Sequence, residues 1–229
     1  LNLRPNHPEG IWHDIGLCSK KLYAWDDAIE AYTKAIELNK TMFHKKDKDL
    51  YDLYYSRAYT YLTKHDLEKA KEDFLQLTSI NPQDTTSYYQ LAYIEGEQNN
   101  IEKAIFYLDS ILEQEPRHFS AISEKSEYLA KLNKKQDAKK FLMDNKSAAE
   151  NGTSNQKANF YYSLGVVNTL NHDADSALAA YQLALHFNPH HPYAESELCD
   201  IYARKGRGEE AIQHCQKGMD IFDYPRVGF

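Results

Sequence analysis

The sequence has little glycine and proline, no long apolar run and no excess of basic residues. Only 9 glycines and 7 prolines occur among 229 residues, which favours helices joined by short turns. No segment approaches the ~18 consecutive apolar residues of a transmembrane helix, and no secretory signal is recognisable. The net charge of -7 argues against nucleic-acid binding, which requires a basic stripe to neutralise phosphates.

Cysteine is also scarce, with an odd count and no metal-type spacing at Cys18, Cys199 and Cys215. We therefore expect no disulfide framework, and we interpret Cys199 and Cys215 as small buried hydrophobic residues. This favours a cytoplasmic location and leaves a bacterial envelope or periplasm as the alternative. A histidine cluster straddles a helix end and a turn without a further ligand at suitable spacing, so neither a metal nor a cofactor is expected at His186, His190 and His191.

Catalytic motifs are absent too. The sequence contains no glycine-rich phosphate loop, nucleophile elbow or His-Glu-x-x-His arrangement, and we predict that the protein is not an enzyme. Tyrosine, in contrast, is abundant, with 18 residues where a core alone would need far fewer. Because tyrosine combines a broad apolar face with a hydroxyl, this excess is typical of a recognition surface.

The main positive signal is a repeat of 34 residues. Small residues recur at that interval as Ala58, Ala92 and Ser126, and prolines recur as Pro82 and Pro116. The clearest copy, residues 160–189, places the small residues Gly165 and Ala177 and the large residue Tyr181 on two helical patterns. Each copy therefore predicts two amphipathic helices, and the copies lie near residues 9–42, 51–84, 85–118, 119–152, 158–191 and 192–225.

The spacing of Trp12, Ile15, Gly16, Ala28, Tyr32 and Ala35 resembles the tetratricopeptide repeat, and so does the copy around Gly165. The resemblance covers nearly the whole chain. It implies an all-α fold, a right-handed α-solenoid of antiparallel helix hairpins forming a single array over residues 1–229. The segment Leu1–Pro5 resembles the close of a repeat, so residues 1–8 are expected to be the tail of a preceding repeat or a linker.

Two spacings between copies exceed 34 residues. The extra residues fall around 41–50 and 150–157, and we expect them to form extended helix ends or solvated loops. The fourth copy departs most from the pattern, with Ser126 and Asn145 at its small positions and Lys125 at a position that is usually apolar. It is still counted, because Leu129, Ala138 and Leu142 remain in register.

In the family that the chain resembles, the first helices of the hairpins line a concave groove. That implies a partner-binding surface that is tyrosine-rich and partly acidic, formed by Tyr55, Tyr59, Tyr89, Gln90, Tyr93, Glu124, Glu127, Tyr162, Ser163 and Glu197. The alternative is that the tyrosines only pack between helices and that the acidic residues form a solvated face. Family members that hold chaperone C-termini carry a lysine, asparagine and arginine clamp, and no register of this sequence supplies it.

We therefore predict a non-catalytic scaffold for protein–protein interaction. Its partner would be a protein or peptide with basic and apolar residues, and neither nucleic acid nor a membrane span is expected. Two alternatives stay open at this point. The chain could be a regulatory or targeting arm of a larger enzyme, or a structural repeat that self-associates through its ends.

Overall fold

The computed structural model describes residues 8–41, 47–191 and 193–223, and these ranges contain thirteen α-helices and no strand. The helices are α1 (Pro8–Lys21), α2 (Trp25–Thr41), α3 (Asp47–Thr63), α4 (Leu67–Ile80), α5 (Thr85–Glu97), α6 (Ile101–Gln114), α7 (Phe119–Lys131), α8 (Lys135–Asp144), α9 (Lys146–Glu150), α10 (Ser154–Leu170), α11 (Ala174–Phe187), α12 (Ala194–Arg204) and α13 (Gly208–Asp223). None of the described helices is long and apolar enough to cross a membrane.

The chain divides into two compact units, Leu1–Ser110 and Ile111–Phe229, with the division inside α6. In the first unit, α1 packs on α2 and α3 on α4, while α2 contacts α3 and α4 contacts α5. In the second unit, α7 packs on α8, α10 on α11 and α12 on α13, while α7 contacts α10 and α11 contacts α12. Consecutive helix hairpins therefore stack within each unit, and the predicted α-solenoid fold class is confirmed.

The extra residues between the fourth and fifth copies, 150–157, form the end of α9, a capped turn and the first residues of α10. After α8 the chain makes the five-residue helix α9, and α10 then begins behind Thr153. The Thr153 hydroxyl accepts from the Gln156 backbone N–H, and the Gln156 side chain accepts from the Thr153 N–H, which satisfies two free donors of the helix end. The segment Leu1–Pro5 and residues 42–46 lie outside the described residues.

All six turns within the hairpins share one backbone conformation. The fifteenth residue of each copy has positive φ, with values from 57° to 72°, and these residues are Tyr23, His65, Asn99, Asn133, His172 and Gly206. The next residue donates its N–H to a carbonyl five positions earlier, as Asp66 does to Tyr61 and Asp173 does to Asn168. This bond satisfies a carbonyl that the helix end would leave unpaired, and it reverses the chain in two residues.

Each hairpin closes around a small residue and a larger residue sixteen positions later. In the first and fifth hairpins these are Gly16 with Tyr32 and Gly165 with Tyr181, and both tyrosine rings are fully buried. In the other hairpins the small residue is larger than glycine, and the residue sixteen positions later is smaller than tyrosine. These pairs are Ala58 and Phe74, Ala92 and Leu108, Ser126 and Leu142, and Cys199 and Cys215. One side chain of each pair is therefore smaller where the other is larger, as close packing requires.

Adding one methyl group at Gly165 should destabilise the fifth hairpin. A Cβ atom there would lie 2.4 Å from Cε1 of Tyr181, so the Tyr181 ring or the helix must move. We expect Gly165→Ala to lower the free energy of unfolding by about 1–3 kcal/mol, the usual cost of overpacking a core. Urea denaturation followed by circular dichroism measures this change.

A double-mutant cycle identifies the clash as the cause. Tyr181→Leu alone leaves a cavity, whereas Gly165→Ala with Tyr181→Leu recreates the combination found at Ala92 and Leu108, so the double variant should lose less stability than the sum of the single ones. Gly208→Ala is the matched control, because no atom lies within 4 Å of its added Cβ. Strictly additive effects at the two positions would contradict the size-matching model.

The expectation that Cys199 and Cys215 are separate buried hydrophobic residues is wrong, because a disulfide joins them. Their Cα atoms are 5.1 Å apart on α12 and α13, which is within the distance that a disulfide spans. The sixteen-residue separation is the one that brings Gly165 and Tyr181 into contact, so the bond occupies the crossing point of the sixth hairpin. Cys18 is a free, exposed cysteine.

A buried ion pair links three helices of the first unit. Arg57 on α3 donates two hydrogen bonds to Asp73 on α4, at 2.7 and 2.8 Å, and a third to the Thr33 hydroxyl on α2 at 2.9 Å. Burial alone would lower the pKa of Arg57, but the hydrogen bonds and charge of Asp73 outweigh it, and the guanidinium stays charged. The pair therefore fixes the position of α3 against both neighbouring second helices.

Candidate functional site

The predicted site residues fall into two groups, one in each unit. In the first unit, three tyrosines form a ladder along α3, with ring centroids 6.3 Å apart for Tyr51 and Tyr55 and 4.6 Å apart for Tyr55 and Tyr59. They are adjacent because residues four apart lie on one helix face. We call Tyr55, Tyr59, Tyr89, Gln90 and Tyr93 the tyrosine surface.

Two of the ladder rings are fixed by contacts inside the unit. The Tyr51 hydroxyl donates to Asp84 Oδ2 at 2.7 Å, and the Tyr59 ring meets Phe74 edge-on at 5.5 Å. Burial raises the pKa of Tyr59, and the hydrogen bond and charge of Tyr55 raise it further, so its hydroxyl stays protonated at neutral pH. Tyr59 therefore acts partly as a core residue and supports the ring of Tyr55.

The most accessible rings of the tyrosine surface are Tyr55 and Tyr93, which are 37% and 39% exposed. Tyr93 lies on α5 one helical turn after the half-buried Tyr89. Gln90, also on α5, lies near the Tyr59 hydroxyl of α3 and acts to lower the pKa of that group, against the larger effects of burial and of Tyr55. The surface thus combines two exposed aromatic rings with half-buried polar side chains.

In the second unit, Glu127, Tyr162, Ser163 and Glu197 form what we call the carboxylate cluster. The Ser163 hydroxyl on α10 is buried and donates to Glu127 Oε1 of α7 at 2.8 Å. The charges of Glu197 and Glu127 both raise the pKa of Tyr162, after the larger effect of burial, which places this phenol near both carboxylates. Three first helices, α7, α10 and α12, therefore contribute to one cluster.

Both carboxylates of the cluster are destabilised in their charged form. Burial raises the pKa of Glu127, and the hydrogen bond from Ser163 offsets this only in part. Burial also raises the pKa of Glu197, and repulsion from Asp200 adds to it. A cation placed near the two groups would relieve both effects, because a nearby opposite charge stabilises an ionised carboxylate.

Aromatic rings border the carboxylate cluster. The Tyr162 ring stacks on His191 at 4.7 Å and lies 5.7 Å from Tyr181 and 6.1 Å from Tyr193. Tyr193 is 55% exposed, and aromatic rings attract cations and apolar chains. Glu124 is half-buried on α7, three residues before Glu127.

Sequence reasoning missed two residues that contact these two groups. Tyr51 could have been found, because it precedes Tyr55 and Tyr59 by whole helical turns on one face. His191 lies at the junction of the fifth and sixth copies, where the repeat pattern assigns no role, whereas Tyr193 is the second residue of the sixth copy, a position that the pattern assigns to the groove. No local signal predicts that Tyr162 stacks on His191, because α11 separates them in the sequence.

Comparisons with known proteins identify related repeats and folds. Residues 86–202 match the family model described as TT21 fifth ARM repeats domain, and residues 51–84 match the tetratricopeptide repeat model. No curated protein sequence matches the chain significantly.

Several solved structures share the fold at low sequence identity. A tetratricopeptide repeat protein from Parabacteroides merdae ATCC 43184 has a TM-score of 0.75 and 13% identity, covering 93% of this chain and 79% of its own. YrrB, described as a TPR protein with an unusual peptide-binding site, has a TM-score of 0.60 and 18% identity, covering 85% and 90% of the two chains. MamA from Desulfovibrio magneticus RS-1 has a TM-score of 0.56 and 22% identity, covering 76% and 96%.

Proposed function

Because this chain belongs to the tetratricopeptide repeat family, and over residues 86–202 to that of the TT21 fifth ARM repeats domain, we propose that it is a non-catalytic scaffold that binds a segment of another protein. Helical-repeat scaffolds of this type are generally non-catalytic. They present side chains from successive hairpins along one surface, which suits an extended or helical peptide. The peptide-binding site reported for YrrB, a protein of the same fold, is consistent with this role.

The observation that carries the proposal is the accessibility of Tyr55 and Tyr93 beside rings that the core fixes. Exposed tyrosines held in place by packing lose little conformational entropy on binding, and aromatic anchors of this kind dominate many interfaces. Tyr59, Tyr89 and Gln90 support them. We propose that apolar side chains of the partner contact this tyrosine surface.

The carboxylate cluster has a complementary role in the proposal. Glu127 and Glu197 would bind a lysine or arginine of the partner, whose charge lowers their raised pKa values and whose stem packs on Tyr162 or Tyr193. Glu124 and the buried Ser163 would act without contacting the partner. Glu124 adds negative charge, and Ser163 orients Glu127 through its hydrogen bond. The partner segment would therefore carry both apolar and basic residues.

Replacing the two exposed tyrosines should weaken peptide binding without unfolding the protein. Peptides selected on the intact chain from a random display library serve as probes, and fluorescence polarisation measures their dissociation constants. For peptides bound through the tyrosine surface, Tyr55→Ala with Tyr93→Ala should raise the dissociation constant about tenfold or more, the typical loss of two aromatic contacts. Leu75→Ala, a similarly exposed apolar residue on the second helix α4, is the matched control and should leave binding unchanged.

Charge provides a second readout of the same experiment. Selected peptides should be enriched in lysine or arginine. Glu197→Gln should raise the dissociation constants of those peptides and reduce the salt dependence of their binding. If the tyrosine and glutamine variants bind every selected peptide as the unaltered protein does, the proposed surfaces are wrong.

A further inference from the structure

Lysine is concentrated in one short part of the fourth hairpin. Residues 131–140 contain five lysines and one acidic residue, in a chain whose net charge is -7. The lysines lie at the end of α7, in the turn and on α8. Three of them are exposed and two are half-buried. We call these residues the lysine surface: Lys131, Lys134, Lys135, Lys139 and Lys140.

Lysine at these positions weakens the local fold. The residue before the second helix is Asp66 in the second hairpin and Asp173 in the fifth, and each side chain accepts a hydrogen bond from a backbone N–H of the helix that follows. At the same position of the fourth hairpin, the side chain of Lys134 makes no such bond. Its charge also opposes the dipole of α8. Lys135 and Lys139, four residues apart on α8, repel each other.

Carboxylates near the lysine surface offset only part of its charge. Burial raises the pKa of Glu127, and the charge of Lys131 acts in the opposite direction. Hydrogen bonds lower the pKa of Asp173, and the charge of Lys139 lowers it further. Together with Asp137, these groups supply fewer negative charges than the five lysines supply positive ones, so the surface stays positive.

We propose that the lysine surface binds an acidic segment of a partner protein. Residues that weaken the local fold are expected at functional positions, where another interaction compensates for the loss. The ten residues of α8 span about 15 Å, which corresponds to about five residues of an extended peptide. The proposal does not depend on partner binding by the tyrosine surface or the carboxylate cluster, because four of the five lysines lie in the turn or on a second helix.

A short acidic peptide fits this surface better than a nucleic acid or an anionic membrane. Asp137 and Asp144 are exposed on the same helix as the lysines, and the whole chain carries an excess of acidic residues. An extended array of phosphates would bring further negative charge close to these carboxylates, within the ~8 Å over which charges interact at physiological ionic strength. A segment of a few residues can contact the lysines alone.

Binding of fluorescein-labelled hexaglutamate to the intact chain tests the proposal. Fluorescence polarisation should show saturable binding that weakens as the ionic strength rises. The variant with Lys134→Gln, Lys135→Gln and Lys140→Gln should raise the dissociation constant at least about tenfold, because three charged contacts are lost. Circular dichroism confirms that the variant is folded.

Two control variants make this test specific. Lys40→Gln with Lys103→Gln and Lys217→Gln removes the same charge from exposed lysines on three other second helices, and it should leave the dissociation constant nearly unchanged. Tyr55→Ala with Tyr93→Ala should also bind hexaglutamate as the unaltered protein does. Failure of the proposed tyrosine surface is therefore distinguishable from failure of the lysine surface.

Lys134→Asp separates a binding role from a structural one. The change restores the capping residue type found at Asp66 and Asp173, so the midpoint of urea denaturation should rise while the affinity for hexaglutamate falls. A lysine that serves only the fold would give a lower midpoint and an unchanged affinity.

Other results would overturn the proposal in distinguishable ways. If hexaglutamate does not bind the unaltered protein, the lysine surface is not a site for acidic segments. Equal losses in the two triple glutamine variants would show unspecific attraction between charges. Vesicles of phosphatidylcholine with about 20% phosphatidylserine and a short DNA duplex are the comparison probes. Tighter binding of either probe, lost in the variant of the lysine surface, would assign the surface to a membrane or to a nucleic acid instead.

Discussion

Replacing Asp73 by alanine should lower the free energy of unfolding of the first unit by about 3–5 kcal/mol, because the change leaves the guanidinium of Arg57 buried without its counter-charge. Asp73 accepts both hydrogen bonds that Arg57 directs to α4, and the side chains are only 4% and 16% exposed. Removing one partner of such a pair costs far more than the pair itself contributes. Guanidinium chloride denaturation of the intact chain measures the loss.

Asp26→Ala is the matched control in the same unit. Its ion pair with Lys64 also joins two hairpins, but the Asp26 side chain is 86% exposed, and a surface pair contributes about 0–1 kcal/mol. Exchanging both Arg57 and Asp73 for leucine should recover much of the loss, because no buried charge then remains unpaired. Equal effects of Asp73→Ala and Asp26→Ala would show that burial of the pair is unimportant.

The ion pair illustrates a limit of sequence reasoning. Periodicity predicted hairpins, because small and large residues at fixed spacing are a local property of two adjacent helices, as at Gly165 and Tyr181. Arg57 and Asp73 are also sixteen residues apart, so the repeat indicates that they lie close together, but the burial of their charges depends on packing among three helices, which the spacing does not indicate. The left-handed turn at Tyr23 was likewise hidden, because tyrosine, unlike the histidine, asparagine and glycine of the other turns, is not a residue type that favours positive φ.

The candidate site was predictable to a similar degree. Counting positions along the first helices identified Tyr55, Tyr59, Tyr93 and their neighbours, and helical spacing alone explains the contact of Tyr55 with Tyr59. Which rings are exposed depends on packing from other helices, and so does the burial of Ser163. The partner-binding role of these residues remains a prediction that the peptide experiment addresses.

The cysteine pair shows a signal that was present in the sequence and not used. Cys199 and Cys215 have the spacing that brings Gly165 and Tyr181 together, so the repeat itself indicated that the two sulfur atoms are close. Treating each cysteine as an isolated hydrophobic residue ignored this register. A repeat thus predicts contacts between positions, in addition to the environment of each position.

Reducing this disulfide should destabilise the sixth hairpin by about 3 kcal/mol, the loop-closure contribution expected for a loop of about 15 residues. The bond lies where Gly165 and Tyr181 fill space in the fifth hairpin, and two cysteine side chains bury less apolar volume than a tyrosine. The chain without the bond therefore has weaker packing between α12 and α13. Hydrogen exchange should become faster in these two helices on addition of dithiothreitol, with a smaller effect in α10.

Replacing the disulfide by a well-packed side chain separates the contribution of the covalent bond from that of side-chain packing at positions 199 and 215. Cys199→Gly with Cys215→Tyr copies the fifth hairpin, and this variant should restore protection in α12 and α13 and make it independent of dithiothreitol, because the ring replaces the bond. Cys199→Ala with Cys215→Ala should behave like the reduced protein, and Cys18→Ser should have no effect, since Cys18 is exposed and free. If a thiol reagent labels both Cys199 and Cys215 in folded protein purified without reductant, the disulfide does not form, and side-chain packing alone holds α12 and α13 together at this point.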